Sequence, residues 1–318
     1  MSYRNGVNLK MKIEFFEWES ADICFRGIMW LPDGKPKAVL QITHGMTEHI
    51  GRYENFARSM TENEIAVCGF DLRGHGRNGT DREIASFGKG GWELSLKDMR
   101  AFYLEIKKRM GDIPYFMFGF SLGSFLLREY LGIYPEGIDG AVIVGTGYQP
   151  GWVLSLMKAI VKGEWKKAEF DGTTALVKKL SFETYNQSFK PNRTVSDWLC
   201  ADEQELNAYI GDPLCRNGIS AGLFWQLLDS MKRTGKKKAV LSWKKDMPVL
   251  LLSGANDPVG NNGKGVETVY RQWTKLKMTD VTMKLFANAR HDLFHEKASG
   301  TADEAEGFLL DWMKKHLD

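Results

Sequence analysis

Two apolar patterns alternate along the chain. Short, nearly unbroken apolar runs at residues 38–43, 65–70, 113–118, 141–145, 248–254 and 281–286 predict buried strands. Between them, residues 53–60, 94–110, 124–131, 266–276 and 302–315 predict helices. Ahead of this series, residues 13–18 and 23–30 predict two antiparallel strands joined by a polar turn. Strands and helices alternating at this spacing mean an α/β fold with a mostly parallel, doubly wound sheet. The rhythm breaks between residues 148 and 245. There Trp152-Val153, Leu156-Met157 and Ile160-Val161 recur every four residues, with Lys158 and Lys162 on the opposite face, which predicts an amphipathic helix. A second helix is expected around residues 223–228, followed by a basic connector at 232–245. The organisation so read is a core in two parts, 1–147 and 246–318, interrupted by a mostly helical cap at 148–245.

Composition changes this picture little. With 43% hydrophobic and 26% charged residues in 318, the chain resembles an ordinary soluble protein with room for one main core and an insertion. A net charge of +3 is too small to point to nucleic acid. The four cysteines, Cys24, Cys68, Cys200 and Cys215, form no C-x-x-C pair, and Cys24 and Cys68 lie in apolar runs where buried free thiols are expected. Residues 1–12 are polar and basic, and no long uncharged apolar window is present. Both features lead to the expectation of a cytoplasmic protein without a membrane span.

The chemistry centres on Gly119-Phe120-Ser121-Leu122-Gly123. A serine at a sharp strand-to-helix turn, flanked by glycines, has the signature of a nucleophile elbow. A glycine-rich turn with a serine helix cap would give the same letters, so the partners must decide. A serine hydroxyl needs a base, and the base needs an acid to orient it. In α/β sheets such groups gather at the carboxyl ends of strands. Asp257 follows the strand at 248–254, and His291 follows the strand at 281–286. The order Ser121, Asp257, His291 is that of an α/β-hydrolase. Among the six histidines, His295 is the alternative base, while His44 and His75 sit in glycine-rich turns and His316 in the last helix. Asp280 precedes its strand, and Asp292 adjoins His291 and would point away from it. The oxyanion donors expected are the N–H groups of Leu122 and Met46. This reaction requires no metal and no cofactor.

The blocks His44-Gly45-Met46-Thr47-Glu48-His49, Asp71-Leu72-Arg73-Gly74-His75-Gly76, Gly119 to Gly123, Asp257-Pro258-Val259-Gly260 and Ala289-Arg290-His291 resemble, in order and spacing, the monoacylglycerol lipase/lysophospholipase-like branch of the α/β-hydrolases, of serine aminopeptidase S33 type. The resemblance runs from about residue 13 to the C-terminus. It implies an α/β-hydrolase fold, the same three catalytic positions and a cap roofing an acyl-binding tunnel. The cap sequences Tyr185-Asn186, Phe189 to Thr194, Asp197-Trp198-Leu199 and Asp212 to Cys215 are similar to those of bacterial lysophospholipase-like members. Met46 stands where a smaller residue is usual in eukaryotic members, and Asn78 where serine is frequent.

A cap over an ester-cleaving site suggests a substrate with an apolar arm, a small-molecule lipid ester. Trp152, Leu156, Met157, Ile160, Phe224 and Trp225 are the candidates for its wall, with His44 as a further substrate-binding candidate, although such stripes also serve simply to pack a cap. Lys158, Lys162, Lys166 and Lys167 are a candidate surface for transient membrane contact, or a solvated helix face. Competing readings are an esterase for short or aromatic acyl groups, an aminopeptidase using Glu203, Glu205 or Asp212 to hold an amine, and a silent hydrolase fold acting as a receptor. The pattern specifies no oligomeric state.

Overall fold

The computed structural model describes residues 11–21, 23–79 and 83–317. Most of the basic N-terminal stretch lies outside them. The described residues form one eight-stranded sheet of β1 (Lys12–Ser20), β2 (Ile23–Leu31), β3 (Ala38–Thr43), β4 (Ile65–Phe70), β5 (Tyr115–Phe120), β6 (Gly140–Val144), β7 (Val249–Gly254) and β8 (Val281–Phe286). Their spatial order is β1-β2-β4-β3-β5-β6-β7-β8. β1 and β2 run antiparallel, and every pair from β4 to β8 is parallel.

The apolar runs are continuous because both sheet faces are covered. In β5, Tyr115 and Met117 join one core, while Phe116, Phe118 and Phe120 join the other. The helices of the core are α1 (Glu54–Thr61), α2 (Gly91–Met110) and α3 (Leu122–Ile133) before the insertion, and two more after it. The insertion between β6 and β7 holds α4 (Gly151–Lys167), α5 (Ala175–Lys178), α6 (Thr184–Asn186), α7 (Glu203–Gly211), α8 (Ala221–Thr234) and α9 (Lys237–Leu241). The chain then returns to the core with α10 (Lys264–Lys275) and α11 (Thr301–Lys315). α1 and α11 cover one face of the sheet; α2, α3 and α10 cover the other.

α7 carries a clear start signal that its apolar pattern hides. Asp202 caps it by accepting from the N–H groups of Gln204 and Glu205, yet only Leu206 of the helix is buried. One cysteine departs from expectation. Cys68 is buried in β4, but Cys24 is exposed, because alternation along β2 turns it outward while Phe25 turns in. Among the described residues no helix is long and apolar enough to cross a membrane.

Candidate active site

Ser121 stands between β5 and α3 with φ 50° and ψ −115°, a strained conformation for a residue bearing a Cβ. The flanking glycines make that turn possible. A Cβ on Gly123 would lie 2.0 Å from the Thr43 carbonyl oxygen, and one on Gly119 would lie 2.5 Å from that of Gly123. The helix can therefore start hard against the end of β3. Leu122, its first residue, contributes an N–H that has no acceptor within the helix.

His291 and Asp257 meet from the loops after β8 and β7. His291 Nδ1 lies 2.9 Å from Asp257 Oδ1, with both side chains buried. The contact is short but not aligned as a hydrogen bond, and both ring nitrogens are sealed without another partner among the described residues. At this separation the carboxylate favours a charged imidazole. Asp257 is fixed by the Val259 N–H at 2.8 Å and the Ser253 hydroxyl at 3.2 Å. The His291 ring is held between Phe120, with centroids 4.9 Å apart, and Trp198, at 5.1 Å. Gly145, at φ 59°, leaves room for it, since a Cβ there would come within 2.9 Å of the ring.

The loop after β3 completes the mouth. Met46 lines a cavity of about 20 Å³ shared with Ser121 and His291, the volume of about one water. Beside it runs a buried ionic chain. Glu48 accepts from the Gly45 N–H at 2.6 Å and the Tyr53 hydroxyl at 2.9 Å and pairs with Arg52. Arg52 donates to Asp292 at 2.9 Å, and Asp292 lies 2.8 Å from His295 Nδ1. Burial opposes the charge on Asp292, but His295 and Arg52 hold its carboxyl well below the usual range. His295 is thus engaged with Asp292, while His291 faces Ser121's cavity.

His44 does not line the cavity at Ser121. It is fully buried, its Nε2 accepts from the Leu72 N–H at 2.9 Å, and its Nδ1 lies 2.7 Å from the Gly45 carbonyl. The ring is therefore neutral and protonated on Nδ1, bracing the loop after β3 against the one after β4; burial lowers its pKa.

The apolar space next to Ser121 is built from other residues than those anticipated. A cavity of about 380 Å³ adjoins the small one, the two sharing Thr47, Phe182, Trp198, Leu199 and Tyr209. Val195 and Ile210 extend its wall. None of Trp152, Leu156, Met157, Ile160, Phe224 or Trp225 lines either cavity. Trp152, Leu156 and Ile160 face outward, Phe224 is buried in the core, and Met157 packs against that core. Trp225 packs on Trp165 and under Lys158. Only part of the α4 stripe is covered: Met157 and Val161 pack inward with Leu154 where α4 meets α8, while the irregular segment 182–210 reaches the site. Trp198 was legible in the sequence only through the cap block Asp197-Trp198-Leu199 of the resemblance, without a wall role, and Tyr209 only as an isolated aromatic, with the Asp202 cap as the local signal placing it on a helix.

The acidic residues of the peptidase reading lie elsewhere. Glu205 pairs with Lys297, Glu203 lies near Arg193, and Asp212 lies 2.8 Å from His49 Nε2. His49, Asp212 and Cys215 also approach as a metal site would require. His49 Nδ1 accepts from the Gly51 N–H, however, which puts the ring proton on Nε2, toward Asp212. The group fits a hydrogen-bonded pair rather than a metal.

Comparison with known proteins identifies the family and the fold. The family model described as "Serine aminopeptidase, S33" matches residues 34–298. The monoglyceride lipase of Mus musculus is 27% identical over 268 residues, 84% of this chain and 79% of the relative. The monoacylglycerol lipase of Mycolicibacterium smegmatis is 24% identical over 301 residues, 91% of this chain and 92% of the relative. A thermostable carboxyl esterase from Bacillus coagulans, solved with glycerol, shares the fold with a TM-score of 0.85 at 20% identity, covering 97% of this chain and 100% of its own. With a strained serine elbow, a mostly parallel sheet and a family match across most of its length, the chain belongs to the serine aminopeptidase S33 family of α/β-hydrolases and is a hydrolytic enzyme.

Proposed function

We propose that the protein is a serine carboxylester hydrolase that cleaves single-chain lipid esters, monoacylglycerols or lysophospholipids, through Ser121, His291 and Asp257. The observation that carries the reading is the meeting of the strained Ser121 and the buried His291–Asp257 pair at one small cavity that adjoins a larger one walled by aromatic and aliphatic side chains. The names of the mouse and mycobacterial relatives support the substrate class.

In the reaction, the Ser121 oxygen bonds to the ester carbonyl carbon as its proton passes to His291. The carbonyl oxygen becomes an oxyanion, stabilised by the N–H groups of Met46 and Leu122. Asp257 stays ionised beside the imidazolium. The carbon–oxygen bond to the alcohol then breaks, and His291 returns the proton to the departing oxygen. Water attacks the acyl-enzyme by the same path, releasing a carboxylic acid and restoring Ser121. The acyl chain lies along Phe182, Trp198, Leu199 and Ile210.

The outward stripe Trp152, Leu156 and Ile160 on α4, with Lys162 and Lys166 exposed on the same helix, suits contact with a lipid surface. Replacing the three apolar residues by serine should lower co-sedimentation with vesicles and leave turnover of soluble esters unchanged.

The test is hydrolysis of p-nitrophenyl esters from acetate to palmitate, with a monoacylglycerol and lysophosphatidylcholine alongside. Ser121→Ala and His291→Ala are expected to lose about four orders of magnitude or more in kcat, and His295→Ala far less. Full activity in Ser121→Ala overturns the mechanism. Activity confined to acetate and butyrate retains the triad but moves the substrate to short esters.

A further inference from the structure

A second cavity, of about 340 Å³, lies among α3, α8 and α9 and shares no lining residue with those at Ser121. Arg128 of α3 lines it while only 2% exposed. Its Nη1 donates to Thr146 Oγ1 at 3.1 Å and to the Gly147 carbonyl at 3.0 Å, and its Nε is buried without a partner. The rings of Phe125 and Trp273 are its other neighbours. No carboxylate among the described residues pairs with it, and burial alone pulls its guanidinium down to about 10. Buried charges are normally paired, because an isolated one is costly to desolvate.

The rest of the wall is also short of negative charge. Glu129 lines the cavity but is already committed to Arg233 Nε at 2.7 Å, the Ser230 hydroxyl at 2.7 Å and Trp92 Nε1 at 2.9 Å. Lys236 and Lys238 stand exposed on the same cavity, with the Ser242 hydroxyl beside them. Once Glu129 and Arg233 cancel, Arg128, Lys236 and Lys238 are left without a balancing charge in the wall.

We propose that this cavity binds a phosphate group, seated against Arg128 with Lys236 and Lys238 closing around it. A phosphate supplies the charge that the wall lacks, and its several acceptor oxygens can serve a guanidinium and two ammonium groups together. Through Arg128 the site touches the catalytic loops. Gly147 packs against Val259, whose N–H holds Asp257, and Gly145, two residues earlier, abuts His291.

The test is calorimetric titration of the full chain with inorganic phosphate at constant ionic strength, against chloride. Sedimentation with phosphatidylcholine vesicles, with and without phosphatidic acid, runs in parallel. One-to-one phosphate binding is expected, weakened about tenfold or more in the double variant Lys236→Ala/Lys238→Ala. Arg128→Gln should do the same, and the double variant carries the test if Arg128→Gln does not fold. Capture of phosphatidic acid vesicles alone, lost in the double variant, assigns the phosphate to a lipid headgroup rather than a free ion. Absence of binding in both arms, or binding that the double variant leaves intact, overturns the proposal. The readout is binding, so it is independent of whether the enzyme cleaves lipid esters.

Discussion

Replacing Arg52 by leucine would remove the central cation of the ionic chain beside the active site. The Arg52 side chain is 10% exposed and faces Glu48 and Asp292, which are 2% and 6% exposed. Leucine fills part of the space and leaves both carboxylates without their shared guanidinium. Breaking a buried ion pair from one side costs about 3–5 kcal/mol, because the remaining charge stays desolvated. At an unfolding entropy of about 2.1 cal/mol/K per residue, that lowers Tm by roughly 4–8 °C for a chain of this size. The direction with pH follows from Asp292, whose folded pKa is depressed against the pull of burial by His295 and Arg52. A depressed carboxylate contributes stability that is present above its unfolded pKa, about 3.9, and is lost as the pH falls through the folded value. Without Arg52 the folded pKa rises, so the variant's deficit should be largest at neutral pH and shrink on acidification. Turnover should fall too, since Glu48 holds the Gly45 N–H beside Met46 and Asp292 adjoins His291. The assay is urea unfolding by tryptophan fluorescence at neutral pH and near pH 3, below the unfolded carboxylate value, with ester hydrolysis on the neutral samples. A deficit below about 1 kcal/mol, the size expected of a surface pair, or one that ignores pH, would refute the reasoning.

Other outcomes follow from the same geometry. Gly123→Ala puts a methyl group 2.0 Å from the Thr43 carbonyl oxygen; α3 must shift, and ester turnover should drop about a hundredfold or more, whereas wild-type kinetics in a folded variant would contradict the close approach. Trp198→Ala removes both a ring 5.1 Å from His291 and a wall shared by the two cavities; kcat/KM should fall several-fold more for a decanoate than for an acetate ester, and an equal loss on both would detach Trp198 from the acyl site. His75 is buried and its pKa is lowered to about 3, mainly by burial. The unfolded chain therefore takes up a proton below about pH 6.5 that the native state refuses, and stability declines by about 1.4 kcal/mol per pH unit on acidification. His75→Phe should flatten that part of the stability–pH curve measured by denaturant melts; an unchanged slope would assign it to other groups.

The sequence by itself determined the layered core. Strands buried on both faces must read as unbroken apolar runs, and the glycine–serine–glycine turn can be built in few ways, so the order of elements and the elbow at Ser121 were legible from local pattern. The break in rhythm after β6 marked the insertion for the same reason. Only the tertiary structure decided how that insertion meets the site. Amphipathic spacing says that one face of a helix is covered but not which face or by what: α4 and α8 cover each other and the core through Leu154, Met157 and Val161 of α4, while Trp152, Leu156 and Ile160 of the expected stripe face outward. The cavity wall came instead from Phe182, Trp198, Leu199 and Tyr209, on short or irregular segments whose side chains have no period to read. Pairings such as Arg52 with Asp292, 240 positions apart, and the solitary burial of Arg128 are likewise products of folding. Charge and burial at a point depend on every element that arrives there, and the sequence order of those elements records neither distance nor direction.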